Sequence, residues 1–144
     1  MFITKSENNA PLKLGMVMSG SKKILIVDDE EDILAYFEVL FNDNGYDTLL
    51  AQDGIKGFEL AKSEKPDLIV LDVTMPKQSG LKTYRQYKRN PALKNIPVII
   101  VTAVNDSFKE LLDELDDLEL PKGIFYKPID PQELLNMVSE VCSE

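Results

Sequence analysis

The 144-residue chain contains no histidine, a single cysteine and no long apolar run. Without histidine it can build no Ser–His or Cys–His nucleophile pair and no His-type zinc site. With Cys142 alone it forms no intramolecular disulfide, which fits a reducing compartment, and the cytoplasm is the expected location. No stretch approaches the roughly 18 apolar residues of a membrane span. The opening "MFITKSENNAPLKLGMVMSGSKK" is too polar for a secretory signal. Basic residues are also scarce, with 16 Lys and Arg against 25 Asp and Glu, for a net charge of -9. That balance disfavours nucleic acid and anionic membranes as direct partners. Chemistry here must rest on carboxylates, hydroxyls and lysine, and oxygen ligands suit hard ions such as Mg²⁺ better than zinc or copper.

The length suits one domain, and 44% apolar with 28% charged residues is ordinary for a globular chain. Residues 1–21 read as a flexible arm, either partly a cloning remnant or sequence upstream of a start at Met16 or Met18. Residues 22–144 read as the folded domain. From there two textures alternate. Buried-strand runs occur at 23–27 (KILIV), 46–51 (YDTLLA), 67–72 (DLIVLD), 96–103 (IPVIIVTA) and 123–126 (GIFY). Between and after them lie helical patterns. The first carries Ile33, Leu34, Phe37, Leu40 and Phe41 and stops at Gly45. The second starts at the N-cap-type Asp53, ends before Pro66 and is weakened by Gly57. The third covers 79–90, and the fourth covers 107–120 with a leucine stripe and a run of acids. The fifth covers 130–142, with Asp130 as N-cap and Pro131 at its first position. Strand and helix thus alternate five times. This (βα)5 order predicts an α/β, doubly wound, flavodoxin-like fold whose parallel five-stranded sheet has strand order 2-1-3-4-5.

Such sheets bind ligands at the carboxyl ends of their strands, between strands 1 and 3. Strand 1 ends in Asp28-Asp29, strand 3 in Asp72, strand 4 in Thr102 and strand 5 in Lys127. Taken singly, each has a plain structural reading: Asp28-Asp29 as a helix N-cap, Asp72 as a turn cap, Thr102 as a strand-end hydroxyl, Lys127-Pro128 as a strand stop. Taken together, they put three carboxylates, a hydroxyl and an ammonium in one crevice. Clustered carboxylates repel one another unless a cation offsets them, and a divalent ion with an oxygen shell is the natural partner. A phosphoryl group fits between that ion, Lys127 and Thr102, with a carboxylate as nucleophile.

The stretches "ILIVDDEED", "LIVLDVTMPKQSG", "VIIVTA" and "YKP" resemble the receiver domain of two-component response regulators, over about residues 22–142. The resemblance implies that Asp72 is the phosphoacceptor, receiving its phosphoryl group from a sensor histidine kinase or a histidine phosphotransfer protein. It implies Mg²⁺ (or Mn²⁺) held by Asp29 and Asp72, by Asp28 mainly through water, and by the Thr74 carbonyl. Lys127 would bind a phosphoryl oxygen, with a cis bond to Pro128. Thr102 would move toward the phosphate, and Ala103 would leave room for access to it. Output would be a shift in the surface of the fourth helix, fifth strand and fifth helix, read by an unidentified downstream target, with the protein a monomer or weak dimer. One departure stands out. The family often carries Tyr or Phe as a switch three residues before the lysine, and Ile124 occupies that position here, with aromatics at Phe125 and Tyr126 instead. The 107–120 helix is also long and acidic for the family.

Two other readings use the same residues. Aspartate-nucleophile phosphohydrolases carry a second acid two residues after the nucleophile. Thr74 stands there, so the general acid/base is missing. A receiver-like module that binds a partner without phosphorylation is the other. On the leading reading the chain is not an enzyme beyond assisting its own phosphorylation and dephosphorylation. With Thr74 and Val104 beside the site, neither able to activate water, its phosphorylated form is expected to turn over slowly.

Overall fold

The computed structural model describes residues 21–73, 80–103 and 119–143. Five strands, β1 (Lys23–Val27), β2 (Asp47–Ala51), β3 (Leu68–Asp72), β4 (Val98–Thr102) and β5 (Gly123–Tyr126), form one sheet in the order 2-1-3-4-5. All neighbours are parallel. The described helices are α1 (Glu31–Asn42), α2 (Gly54–Glu64), α3 (Gly80–Arg89) and α4 (Pro131–Cys142). The helix expected over 107–120 falls outside the described residues apart from Glu119 and Leu120, and those two are not helical. The predicted arm lies outside them as well, but for residue 21.

The three central strands are continuous aliphatic runs because both their faces are covered. Side chains alternate between faces along a strand, so each strand feeds two cores. Leu25, Val27, Ile69, Leu71, Val98 and Ile100 meet Ala61 of α2 and Tyr84 and Tyr87 of α3 on one face. Ile24, Ile26, Leu68, Val70, Ile99 and Val101 meet Leu34, Phe37 and Phe41 of α1 and Leu134, Val138 and Val141 of α4 on the other. The edge strands β2 and β5 are mostly half-buried, as one open edge dictates.

Local chemistry sets the helix ends. Gly45, at φ 92, takes the left-handed turn that reverses the chain after α1, where a side chain would be strained. The Asp53 carboxylate accepts from Lys56 N–H at 2.8 Å and starts α2. Asp130 accepts from Gln132 and Glu133 N–H at 2.9 and 3.3 Å and starts α4, with Pro131 in its first turn. Gly57, a weak point by propensity, is where α2 lies against Val27 of β1 and Tyr87 of α3. A Cβ there would stand 2.5 Å from the Tyr87 hydroxyl and 2.8 Å from Val27 Cγ2.

Candidate functional site

Strands β1, β3, β4 and β5 deliver polar residues to the carboxyl rim, β1 two of them. Asp28 N–H still donates to Ala51 C=O at 3.1 Å, so Asp28 is held as a last rung of β1. Val73 N–H donates to Val101 C=O at 3.0 Å beyond Asp72, and Lys127 N–H donates to Thr102 C=O at 2.8 Å. Backbone ladders therefore fix these positions before any side chain chooses a partner. Asp28 and Asp72 follow Ile26 and Val70 by two residues, so both carboxylates lie on the sheet face covered by α1 and α4.

The two carboxylates are almost sealed from solvent, at 1% and 3% exposure. The Lys127 ammonium bridges them, 3.3 Å from Asp72 Oδ2 and 3.8 Å from Asp28 Oδ2. Asp28 Oδ1 accepts the backbone N–H of Glu30 at 2.9 Å. Asp28 Oδ2 has no hydrogen-bond partner among the described residues. Asp29 is exposed, and one carboxylate oxygen from each of Asp28, Asp29 and Asp72 lies within 4.8 Å of the others. One ammonium faces three acids, so charge is left over. Burial pushes the Asp28 carboxyl up to about 7, and the neighbouring Asp72 adds to the rise. The Glu30 N–H and the Lys127 charge pull the other way. A buried acid that holds its proton near neutrality, with an oxygen that makes no hydrogen bond, is a place where a cation can replace that proton. The donors are all hard oxygens, as Mg²⁺ requires, and Asp29 at the open side leaves room for the water ligands it keeps.

Among the other expected residues, Thr102 is buried at 4% exposure at the end of β4, level with the rim. Its parity matches Val98 and Ile100, so it belongs to the face covered by α2 and α3, opposite the carboxylates. Ala103 beside it is exposed. Ile124 is half-buried against that same α2/α3-side core, Phe125 packs into the other core, and Tyr126 lies cross-strand from Thr102. The Lys127–Pro128 bond is cis. Thr74 and Val104 lie outside the described residues. The N-cap reading of Asp28-Asp29 does not hold, because the N-cap of α1 is Glu30, whose own side chain makes no cap bond. The Glu30 N–H that orients Asp28 was not foreseen, since a backbone donor leaves no mark in the residue types.

Comparison with known proteins gives a consistent set of relatives. The family model described as the response regulator receiver domain matches residues 24–139. The alkaline phosphatase synthesis transcriptional regulatory protein PhoP of Bacillus subtilis is 37% identical over 115 residues, which is 79% of this chain and 45% of that protein. This chain therefore matches less than half the length of that regulator. The polar-differentiation response regulator DivK of Brucella anthropi is 38% identical over 82 residues, 57% of this chain and 67% of that protein. Among solved structures, chemotaxis protein CheY4 of Vibrio cholerae superposes with a TM-score of 0.74 at 26% identity, covering 84% of this chain and 98% of that one. The receiver domain of sensor histidine kinase PA1611 of Pseudomonas aeruginosa, a structure with magnesium coordinated in its active-site cleft, has a TM-score of 0.74 at 21% identity, covering 86% and 99%. No described helix is long and apolar enough to cross a membrane.

Proposed function

Because this chain belongs to the response regulator receiver domain family of two-component signalling, we propose that Asp72 is the side chain on which it carries a phosphoryl group. A carboxylate oxygen of Asp72 attacks phosphorus of a phosphohistidine on a sensor kinase or phosphotransfer protein. The P–N bond breaks, and the imidazole leaves with the bonding electrons and takes up a proton. Lys127 follows the charge. Its ammonium sits 3.3 Å from Asp72 Oδ2 and can pass to a phosphoryl oxygen as the acyl phosphate forms. Thr102, at the end of the adjacent strand but on the other sheet face by parity, would offer its hydroxyl by swinging toward the phosphate. Asp28, Asp29 and Asp72, with the carbonyl of Thr74, would hold Mg²⁺, which when bound neutralises phosphoryl oxygens and so favours in-line transfer. The observation that carries this reading is the sharing of one ammonium by two buried carboxylates while Asp28 Oδ2 makes no hydrogen bond among the described residues.

On this reading the protein holds a signal and does not turn over a substrate. Its output would pass through β5, α4 and the 107–120 segment to a downstream target in the cytoplasm. Intact mass after incubation with Mg²⁺ and acetyl phosphate tests the proposal. One added phosphoryl in the wild type and none in Asp72→Asn supports it. An adduct that survives Asp72→Asn, or no adduct and no beryllofluoride binding in the wild type, refutes it.

A further inference from the structure

Away from the acidic crevice, α2 and α3 enclose a groove of about 720 Å³. Its apolar lining includes Ile55, 66% exposed despite its size, together with Phe58 and Pro91. Its other wall is a row of cations on α3, Lys82, Arg85 and Arg89, at helical spacing along one side. The Lys62 ammonium lies 5.3 Å from the Phe58 ring centre and adds a further positive charge. The α3 wall is one-signed. Residues 80–96 contain no acid, and Lys82, Arg85 and Arg89 line the groove, in a chain whose net charge is -9; Lys88 is turned away and paired with Glu119.

We propose that this groove docks a short acidic segment of a partner protein, with a large apolar side chain seated over Ile55 and Phe58 and carboxylates along the α3 row. The apolar lining asks for an anchor residue, and the cation row asks for carboxylates on one side of it. Binding needs the charge of Lys82, Arg85 and Arg89 and not an empty donor, since each is already engaged in an interaction of its own. A nucleic acid or an anionic membrane fits less well. Either would extend beyond the groove onto a chain of net charge -9, where repulsion is screened only over a Debye length of about 8 Å. A short segment ends at the margin of the groove and meets only its local charge. Exposed ion pairs contribute little singly, so the apolar anchor supplies affinity and the cation row supplies selection for acidic sequences.

The test is a titration of the ¹⁵N-labelled full chain with a synthetic peptide about four helical turns long. The peptide carries Glu and Asp on one side and Leu and Phe on the other, and a control has Lys in place of every acid. No phosphodonor is present, so the outcome is independent of Asp72. The proposal expects saturable shifts centred on Ile55, Phe58, Arg85 and Arg89 with the acidic peptide only. It also expects affinity to fall about tenfold or more in Arg85→Glu/Arg89→Glu and in Ile55→Asn. Folding of both variants is checked by thermal melts and by unchanged phosphoryl uptake. Absence of saturable binding, a footprint on another face, affinity untouched by either variant, or preferential binding of a single-stranded DNA oligomer or phosphatidylserine vesicles would overturn it.

Discussion

At the scale of single residues the site is a problem of unbalanced charge. Asp28 and Asp72 are buried together, and Lys127 offsets only one negative charge. The remainder has to be neutralised by a proton or by a cation. With its carboxyl pushed from 3.8 up to about 7, Asp28 in the folded chain keeps a proton that the unfolded chain has lost. Without metal, the Asp28 contribution to stability should therefore be full below about pH 4 and be lost as pH rises to about 7. The loss is at most about 4 kcal/mol at 1.36 kcal/mol per unit. A bound divalent cation replaces the proton, so Mg²⁺ should raise the melting temperature more at about pH 8 than at about pH 5. Asp28→Asn should flatten the metal-free pH profile in that window and shrink the Mg²⁺ effect. Equal Mg²⁺ shifts at both pH values would contradict this account. Lys127→Ala separates two roles with opposite signs. Loss of the ammonium should slow phosphoryl uptake from acetyl phosphate about a hundredfold. It should also tighten Mg²⁺, because a cation that competes for Asp72 is gone. Weaker Mg²⁺ binding in Lys127→Ala would show that the lysine organises the carboxylates instead of competing for them.

At the scale of elements, backbone approach decides what propensity leaves open. Gly57→Ala should gain about 1 kcal/mol by helix propensity in an exposed helix. Here the new methyl meets the Tyr87 hydroxyl at 2.5 Å and Val27 Cγ2 at 2.8 Å. That hydroxyl is itself fixed by donating to Gly54 C=O at 2.8 Å, and Val27 is locked in β1, so α2 must back away. A net loss of about 1–2 kcal/mol in a urea titration is expected, with unchanged Mg²⁺ binding. Asp53→Ala and Asp130→Ala should each cost about 1 kcal/mol by removing a cap. The strands and their order were legible because central parallel strands need unbroken aliphatic runs, as in "KILIV" and "DLIVLD". Asp53 and Asp130 were legible because capping is local. The role of Gly57 was not, since the side chain it makes room for is 30 positions away in sequence. The end of α2 before Pro66 was legible, but the left-handed Lys65 that makes it, at φ 50, was not, since a residue before proline is ordinarily extended. The crevice followed from strand ends alone. The face on which Thr102 lies depended on register, which places it opposite Tyr126 and out of phase with Asp72.

At the scale of the whole molecule the two ends of the sheet carry different burdens. The carboxyl end concentrates uncompensated acid for use. The amino end uses a buried lysine to tie segments together. Lys88, its side chain 4% exposed, donates to the carbonyls of Lys94 and Ile96 at 3.3 and 3.0 Å and pairs with Glu119 at 3.5 Å. Tyr84 donates its hydroxyl to the Glu119 carbonyl beside it. The end of α3, the approach to β4 and the approach to β5 thus meet at one ammonium. Burial lowers the pKa of that ammonium, and the Glu119 carboxylate resists the change. Nothing local in "YKRN" marks the first of its charged residues as an inward one, so this junction was invisible in the sequence. Lys88→Met keeps the length and apolar stem but leaves two carbonyls without their donor, a loss of about 2–3 kcal/mol. Among the described residues Lys88 bonds to Lys94, Ile96 and Glu119 and to no residue of the acid crevice, and effects at well-separated sites add. Lys88→Met should therefore melt several degrees lower while taking up Mg²⁺ and phosphoryl as the wild type does below its transition. If uptake falls in step with stability, the two ends are coupled through α3, and the receiver is a single switching unit from its amino end to its phosphoacceptor.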